Sequence, residues 1–420
     1  MKVRNVMVIG LLVREAFSFW TGHPFDFELW VRTGYWVAHG VSPYGVLQSA
    51  PGLSFADIYN RLGESTVGYL PFWPLLLAGI YKLYLIVGFG NRFVYYFLIK
   101  QPLIIGDLLL GYAIFSYVRT KRPEASPYLL SLWVLSPFTI IVSSVWGMFD
   151  SLAMLFVVSA LAARWGTTRA AQEGIAIWIK SIPLVYAIPF ALSTKKWLRN
   201  VIIAIGIPAV GSVATILALG WPIDTAFATL ASTVTKGGQS LSVLGASFYT
   251  QTLNYPSWPE SVLSVLAYVW IPAVIVATAL AYRWFGFTTE RGLVQSLLLC
   301  TIAFMLFKAQ VNEQYAIYLL ALALVDIGIW NPRRRWLYLA ITGVIMVYLA
   351  VNNPELARFA SPAFPQALSV DGNLVVAWGN ARFVVLFACS IVFAALNAAY
   401  AILLFRDRRT PAKQPTRTVA

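Results

Sequence analysis

Two carboxylates, Asp26 and Glu28, stand two residues apart just after the first apolar stretch, with His23 three positions before Asp26. A carboxylate beside a hydroxyl can take its proton, and carboxylate oxygens suit hard cations such as Mg or Mn. Asp150, after Trp146-Gly147, permits a metal or acceptor site shared with Asp26. Asp is also a preferred N-cap and Glu suits a helix start, so Asp26 and Asp150 have a capping reading beside the chemical one. Lys100, Lys180 and Lys308 lie in, or at the ends of, apolar segments. An ammonium there costs several kcal/mol unless it finds a partner, which makes each a site candidate, with snorkelling as the plainer reading. Asp107 shares a helix face with Lys100 about 10 Å away along the axis, too far to pair directly, so a partner such as Arg14 or a water-filled cleft is needed. Glu313-Gln314-Tyr315 opens another helix, where Glu313 either complements the dipole or orients hydroxyls. His23 and His39 are too few and too loosely placed for a zinc site.

The elements that must hold these groups are membrane helices. Of 420 residues, 59% are hydrophobic and only 11% charged, against about a quarter charged in soluble domains. The runs Asn200 to Gly220, Ser261 to Tyr282 and Phe383 to Phe405 each reach the roughly 20 residues a crossing needs. A net charge of +14 raises the question of nucleic acid, but the basic residues form short clusters between apolar segments rather than one polar face, so no nucleic-acid partner is expected. Cys300 and Cys389 both lie in apolar runs, which leaves no readable disulfide framework. The start resembles a signal peptide, but Arg14 and Glu15 interrupt it and no cleavage site follows, so a retained first helix is expected.

Placing Lys2/Arg4, Arg119/Lys121/Arg122, Lys195/Lys196/Arg199, Arg333/Arg334/Arg335 and Arg406/Arg408/Arg409 in the cytoplasm follows from the positive-inside rule. The prediction is an all-α, polytopic protein of the cell or ER membrane, with about twelve crossings and both termini cytoplasmic. Residues 1–420 form one transmembrane domain: a core over 1–330 with an external loop at 21–90, C-terminal helices over 331–405 and a basic tail at 406–420. In the loop, Leu29 to Ala38 reads as an interfacial amphipathic helix with Arg32 reaching for headgroups. Tyr69 to Val87 lies along the interface, bent at Pro71 and Pro74, or alternatively spans. A short broken pair of helices fits between 170 and 194.

These residues resemble a known pattern. Asp26-x-Glu28, then an aromatic-rich helix and Gly40-Val41-Ser42-Pro43-Tyr44, is similar to the first loop of the GT-C glycosyltransferases, especially the dolichyl-phosphate-mannose-dependent mannosyltransferases. Gly68-Tyr69-Leu70-Pro71 resembles the Tyr/Pro segment closing that loop. Downstream, Ser136-Pro137 leading to Trp146-Gly147-Met148-Phe149-Asp150, Lys180-Ser181-Ile182-Pro183 and Glu313-Gln314-Tyr315 resemble further family motifs in the same order. Asp26-x-Glu28 departs from a strict D-x-D, and Ser136 stands where Asn is usual.

The resemblance implies a polyprenyl-phosphate sugar as donor, a lipid-linked or glycan hydroxyl as acceptor, and transfer of a hexose such as mannose with inversion on the extracytoplasmic side. Asp26 is then the general base, with Glu28 and Asp150 as further catalytic candidates. Lys180, Lys308 and Lys100 are candidates for the donor phosphate, and His23, Tyr44, Tyr69, Glu313, Gln314 and Tyr315 for the acceptor. No organic cofactor is implied, and a divalent cation is left open. The competing reading is a lipid or solute transporter or flippase. Transporters gather their charges at the midplane on broken, repeated helices, whereas here the charges collect toward one rim.

Overall fold

The computed structural model describes residues 2–56, 67–235, 240–242, 244, 262 and 265–407, and among them every regular element is helical. Helix α1 (Val3–Ser18) leads to the first loop, which holds α2 (Asp26–Ala38) and α3 (Phe72–Val87). Then come α4 (Arg92–Lys121), α5 (Tyr128–Val134) and α6 (Pro137–Ile140), the last running into a π-turn, Ile141–Trp146. Next are α7 (Asp150–Ala162) and α8 (Gly166–Ile179), followed by a 3-10 turn, Ile182–Tyr186, and α9 (Ala187–Leu192). Helices α10 (Trp197–Ala218), α11 (Ile223–Thr235), α12 (Trp270–Trp284) and α13 (Glu290–Phe307) follow. The chain closes with α14 (Ala316–Ile329), α15 (Arg335–Asn352) and α16 (Ala367–Asp407), which breaks at Gly379 with φ 49° and ψ −135°.

Among the described residues, five helical segments are long and apolar enough to cross a membrane: α4, α10, α13, Pro332–Asn352 and α16. A sixth results if α5 and Pro137–Trp146, bent by 40°, count as one span. The chain is a multi-pass membrane protein. Against about twelve expected crossings, the apolar helices α3, α7 and α12 have only 16, 13 and 15 residues, shorter than the roughly 20 a straight crossing takes. Helices α13 and α14 are buried almost all round and form the centre, while α10 turns Ile202, Val210 and Leu217 outward. A face with that composition meets lipid rather than water. The expected broken pair is present, α8 ending at Ile179 before the turn that starts at Ile182. The expected tail beyond Asp407 and most of 236–264 lie outside the described residues.

In the first loop α2 and α3 lie side by side in parallel. Trp30 meets Trp73 edge-on, Tyr35 and His39 meet Tyr81, and Gly34 passes so close to the Leu77 carbonyl that a Cβ would sit 2.8 Å from it. Two expectations change here. Pro71 and Pro74 do not bend the segment: they occupy its N-cap and first turn, where a missing N–H costs nothing. Arg32 does not reach for headgroups. It is fully buried, bonds Glu28 Oε1 at 2.6 Å and the Ala56 carbonyl at 2.7 Å, and so ties the loop to its own helix.

Buried charges staple the core. Arg14 is the partner of Asp107, Nη2 to Oδ2 at 2.5 Å, and Ser151, Trp133 and Ser143 also reach that carboxylate. The hydrogen bonds satisfy what burial would otherwise leave unpaired. Lys100 donates to the Thr21 carbonyl at 2.6 Å, to Thr21 Oγ1 at 2.9 Å and to the Ser144 carbonyl at 2.5 Å, and lies over the Phe27 ring. It joins α4 to the end of α1 and to the π-turn.

Candidate active site

The chain enters the first loop through a clamp. Gly22 N–H donates to the Phe359 carbonyl at 2.8 Å and His23 N–H to the Trp146 carbonyl at 3.3 Å. The His23 ring stacks on Trp146, centroids 5.1 Å apart, and tilts against Phe359. Its Nδ1 accepts the backbone N–H groups of Asp26 at 3.1 Å and Phe25 at 3.3 Å. The histidine ring therefore takes orphan donors at the start of α2, the task of an N-cap. Asp26 Oδ2 also lies 3.3 Å from Nδ1, but a nitrogen already accepting N–H donors carries no proton there. The contact is thus no ion pair, in agreement with burial, which holds the His23 pKa down at about 4.

Asp26 is thereby relieved of capping. It is the first residue of α2 and its side chain makes no cap hydrogen bond; Oδ2 accepts from Trp146 Nε1 at 2.8 Å, and the carboxylate stays about one-fifth exposed. Trp146 owes its position to the π-turn, a form common at functional sites. Behind it, Gly147 at φ +92° lets the chain reverse against Phe27, where a Cβ would sit 2.6 Å from the ring. Asp150 likewise does not cap: it begins α7 and is held by Lys180 Nζ at 2.8 Å, both groups being buried. That ammonium also lies 4.8 Å from the Phe149 centroid, 5.1 Å from Tyr315 and 5.4 Å from Tyr69, an aromatic cage for a desolvated cation.

Asp150, Glu313, Tyr69 and Tyr315 all feel the charge of Asp26. Burial pushes the Glu313 carboxyl up, and Oε1 accepts from Asn352 Nδ2 at 2.8 Å. The structure thus gathers His23, Asp26, Tyr69, Asp150, Lys180, Glu313 and Tyr315, brought from five separate stretches of chain.

Other candidates serve elsewhere. Glu28 is fully buried, bound by Arg32 and by Phe55 N–H at 2.9 Å, and Lys100 is spent on three oxygens. Tyr44 Oη donates to the Tyr69 carbonyl at 3.1 Å and its ring meets Trp221, so it fastens the loop to the turn before α11. Gln314 is buried beside Glu313. Lys308 caps α13 over the Trp270 ring at 5.6 Å, its pKa lowered by burial to about 8. Among the described residues no three His, Cys, Asp or Glu side chains form a cluster able to hold a metal; Asp150, the expected sharer with Asp26, already carries Lys180.

Arg358 was not foreseen. Its guanidinium grips both Asp371 oxygens at 2.9 Å, is one-fifth exposed, and acts electrostatically on His23 and Glu313. The signal lay in the stretch 352–379, where the basic Arg358 stands between the acids Glu355 and Asp371 among mainly apolar residues.

No protein-family model matches the sequence, and no curated protein matches it. Solved structures do. ArnT from Cupriavidus metallidurans in the apo state superposes with a TM-score of 0.50 at 12% identity, over 97% of this chain and 76% of that one. The same protein bound to undecaprenyl phosphate gives 0.48 and 13%, over 97% and 77%. The chain shares the fold of that apo-state structure.

Proposed function

We propose that the chain is a membrane glycosyltransferase that moves a hexose, mannose being the first to test, from a polyprenyl phosphate to a hydroxyl of a lipid-linked or glycan acceptor. The reaction is set at the membrane face away from the basic clusters. The observation that carries this reading is Asp26: a carboxylate at a helix start, oriented by Trp146 Nε1, with its capping duty taken by His23. The shared fold and the ordered motifs support it.

Asp26 accepts the acceptor proton as the hydroxyl oxygen bonds to the anomeric carbon and the bond to phosphate breaks. One displacement at one carboxylate inverts the centre. The phosphate leaves with its negative charge and calls for a cation rather than an acid. Lys100 is buried under its three oxygens, and Lys180 is held by Asp150 behind the aromatic wall. This reading therefore assigns the phosphate to Arg358, whose guanidinium holds Asp371 through Nε and Nη2 and, one-fifth exposed, keeps Nη1 for a phosphate oxygen. Lys180 and Asp150 position Tyr69 and Tyr315, and Glu313 with Asn352 orients the acceptor. No step is routed through a metal. Purified protein given polyprenyl-phosphate mannose and polyprenyl-phosphate glucose separately, with a membrane extract as acceptor, should transfer label from at least one. Absence of transfer from both, with the protein folded, would remove the reading.

A further inference from the structure

Helix α15 ends at Asn352, and the last carbonyls of a helix have no partner within it. Arg382 supplies one. It stands on α16 about one turn beyond the break at Gly379, is buried, and donates from Nε to the Val351 carbonyl at 3.1 Å and from Nη2 to the Asn352 carbonyl at 2.8 Å. A cation at a helix C-terminus also meets the negative end of the dipole. These two bonds alone would make a structural cap.

A third bond goes further. Nη2 also donates to Asn352 Oδ1 at 3.3 Å, and Asn352 Nδ2 in turn donates to Glu313 Oε1 at 2.8 Å. A guanidinium has only donors and an ionised carboxylate only acceptors, whereas an amide has one end of each kind. With Arg382 on one side, the oxygen of Asn352 must face it, and the NH2 group is thereby turned to Glu313. The reversed amide would set donor against donor at Arg382 and oxygen against oxygen at Glu313. Glu313 is buried in the turn that opens α14, where a carboxylate oxygen without its donor is costly. The Asn352 N–H favours the ionised form of Glu313, as Arg358 does, against burial and the charge of Asp26.

We infer that Arg382 is a positioning residue for the acceptor: by setting the sense of the Asn352 amide it holds the Glu313 carboxylate ready to receive acceptor hydroxyls, a role that rests on Glu313 orienting the acceptor as proposed above. Arg382→Met should raise KM for the acceptor about tenfold, the equivalent of one charge-assisted hydrogen bond, with donor KM unchanged and kcat changed less. Asn352→Leu should do the same, and the double variant should be no worse than Asn352→Leu alone, because Arg382 acts through that amide. Should Arg382→Met not fold, Arg382→Lys, which keeps a donor for the carbonyls but only one nitrogen, carries the same comparison. An unchanged acceptor KM in the folded variant, or effects that multiply in the double variant, would reduce Arg382 to a cap. A second measurement is independent of transfer. In nitrogen-15-labelled full chain the Asn352 side-chain NH2 signal, identified by its loss in Asn352→Leu, should exchange slowly with solvent in the parent and faster in the Arg382 variant. Equal exchange rates would overturn the inference whether or not sugar is transferred, whereas a folded parent that transfers no sugar but shows the difference in exchange would remove the proposed function and with it the acceptor role.

Discussion

The neutral His23 cap makes folding depend on pH in a way that can be calculated. In the unfolded chain the imidazole titrates at 6.5, while in the folded protein it titrates at about 4. Between these values the unfolded state binds the proton and the folded state does not. Stability is therefore full above pH 6.5 and is lost as pH falls toward 4. At pH 5 the single-group linkage gives a loss of about 2 kcal/mol; its cause is first of all burial, which disfavours the imidazolium, and a proton on Nδ1 also removes the acceptor for the Phe25 and Asp26 N–H groups. His23→Asn replaces the ring with a strong, non-titrating N-cap and so should remove this slope while lowering stability at pH 7.5 through lost stacking on Trp146 and Phe359. Thermal unfolding of both proteins in detergent at pH 7.5 and pH 5 measures it. The parent should lose about 2 kcal/mol more than the variant over that interval. Equal losses would refute the argument that His23 caps α2 as a neutral base.

Lys180→Met leaves the buried Asp150 carboxylate unpaired and should cost about 3–5 kcal/mol, whereas Asp150→Asn combined with Lys180→Met should recover much of it in the same melting assay. If the double variant is no more stable than Lys180→Met, the pair is not the unit described here. Arg358→Lys keeps the charge but not a guanidinium that can hold Asp371 and a phosphate oxygen at once, so KM for the donor should rise about tenfold with kcat changed less; an unchanged donor KM would take the phosphate away from Arg358. Lys100→Met should lower the unfolding temperature by breaking three bonds at the α1–α4 junction, with donor KM unaltered in the protein that folds. A raised donor KM there would return Lys100 to the donor phosphate.

Helix existence and the approximate position of the site were legible because their causes are local. Apolar run length announces a crossing, and Ser181-Ile182-Pro183 announces a break, since the residue before a proline avoids helical backbone; Ser136-Pro137 carries the same signal, but the bend there was not foreseen. Arg14 was readable as a partner for Asp107 because a carboxylate inside an apolar helix must be compensated. The capping assignments failed for a different reason. Asp26 and Asp150 have the right residue type at a helix start, but the acceptor for the first N–H groups of α2 is a histidine ring, and the Asp150 carboxylate is claimed by Lys180, thirty positions away. Arg32 illustrates the same limit: amphipathic spacing suggested an outward face, yet the loop folds over it and supplies Leu47 and Ala56 carbonyls. Arg358 could be noticed as a charge in an apolar loop, but its approach to His23 depends on how residues 354–360 pack against the clamp, which spacing does not encode.

The most direct test of the central claim is the rate of sugar transfer by Asp26→Asn. The substitution keeps an oxygen for Trp146 Nε1 and disturbs no cap, because His23 supplies it, so the protein should fold with an unfolding temperature close to the parent's. Loss of the basic carboxylate should then lower kcat by about 10² or more at unchanged donor KM. A folded Asp26→Asn protein that transfers sugar at the parental rate would contradict the assignment of Asp26 as the base.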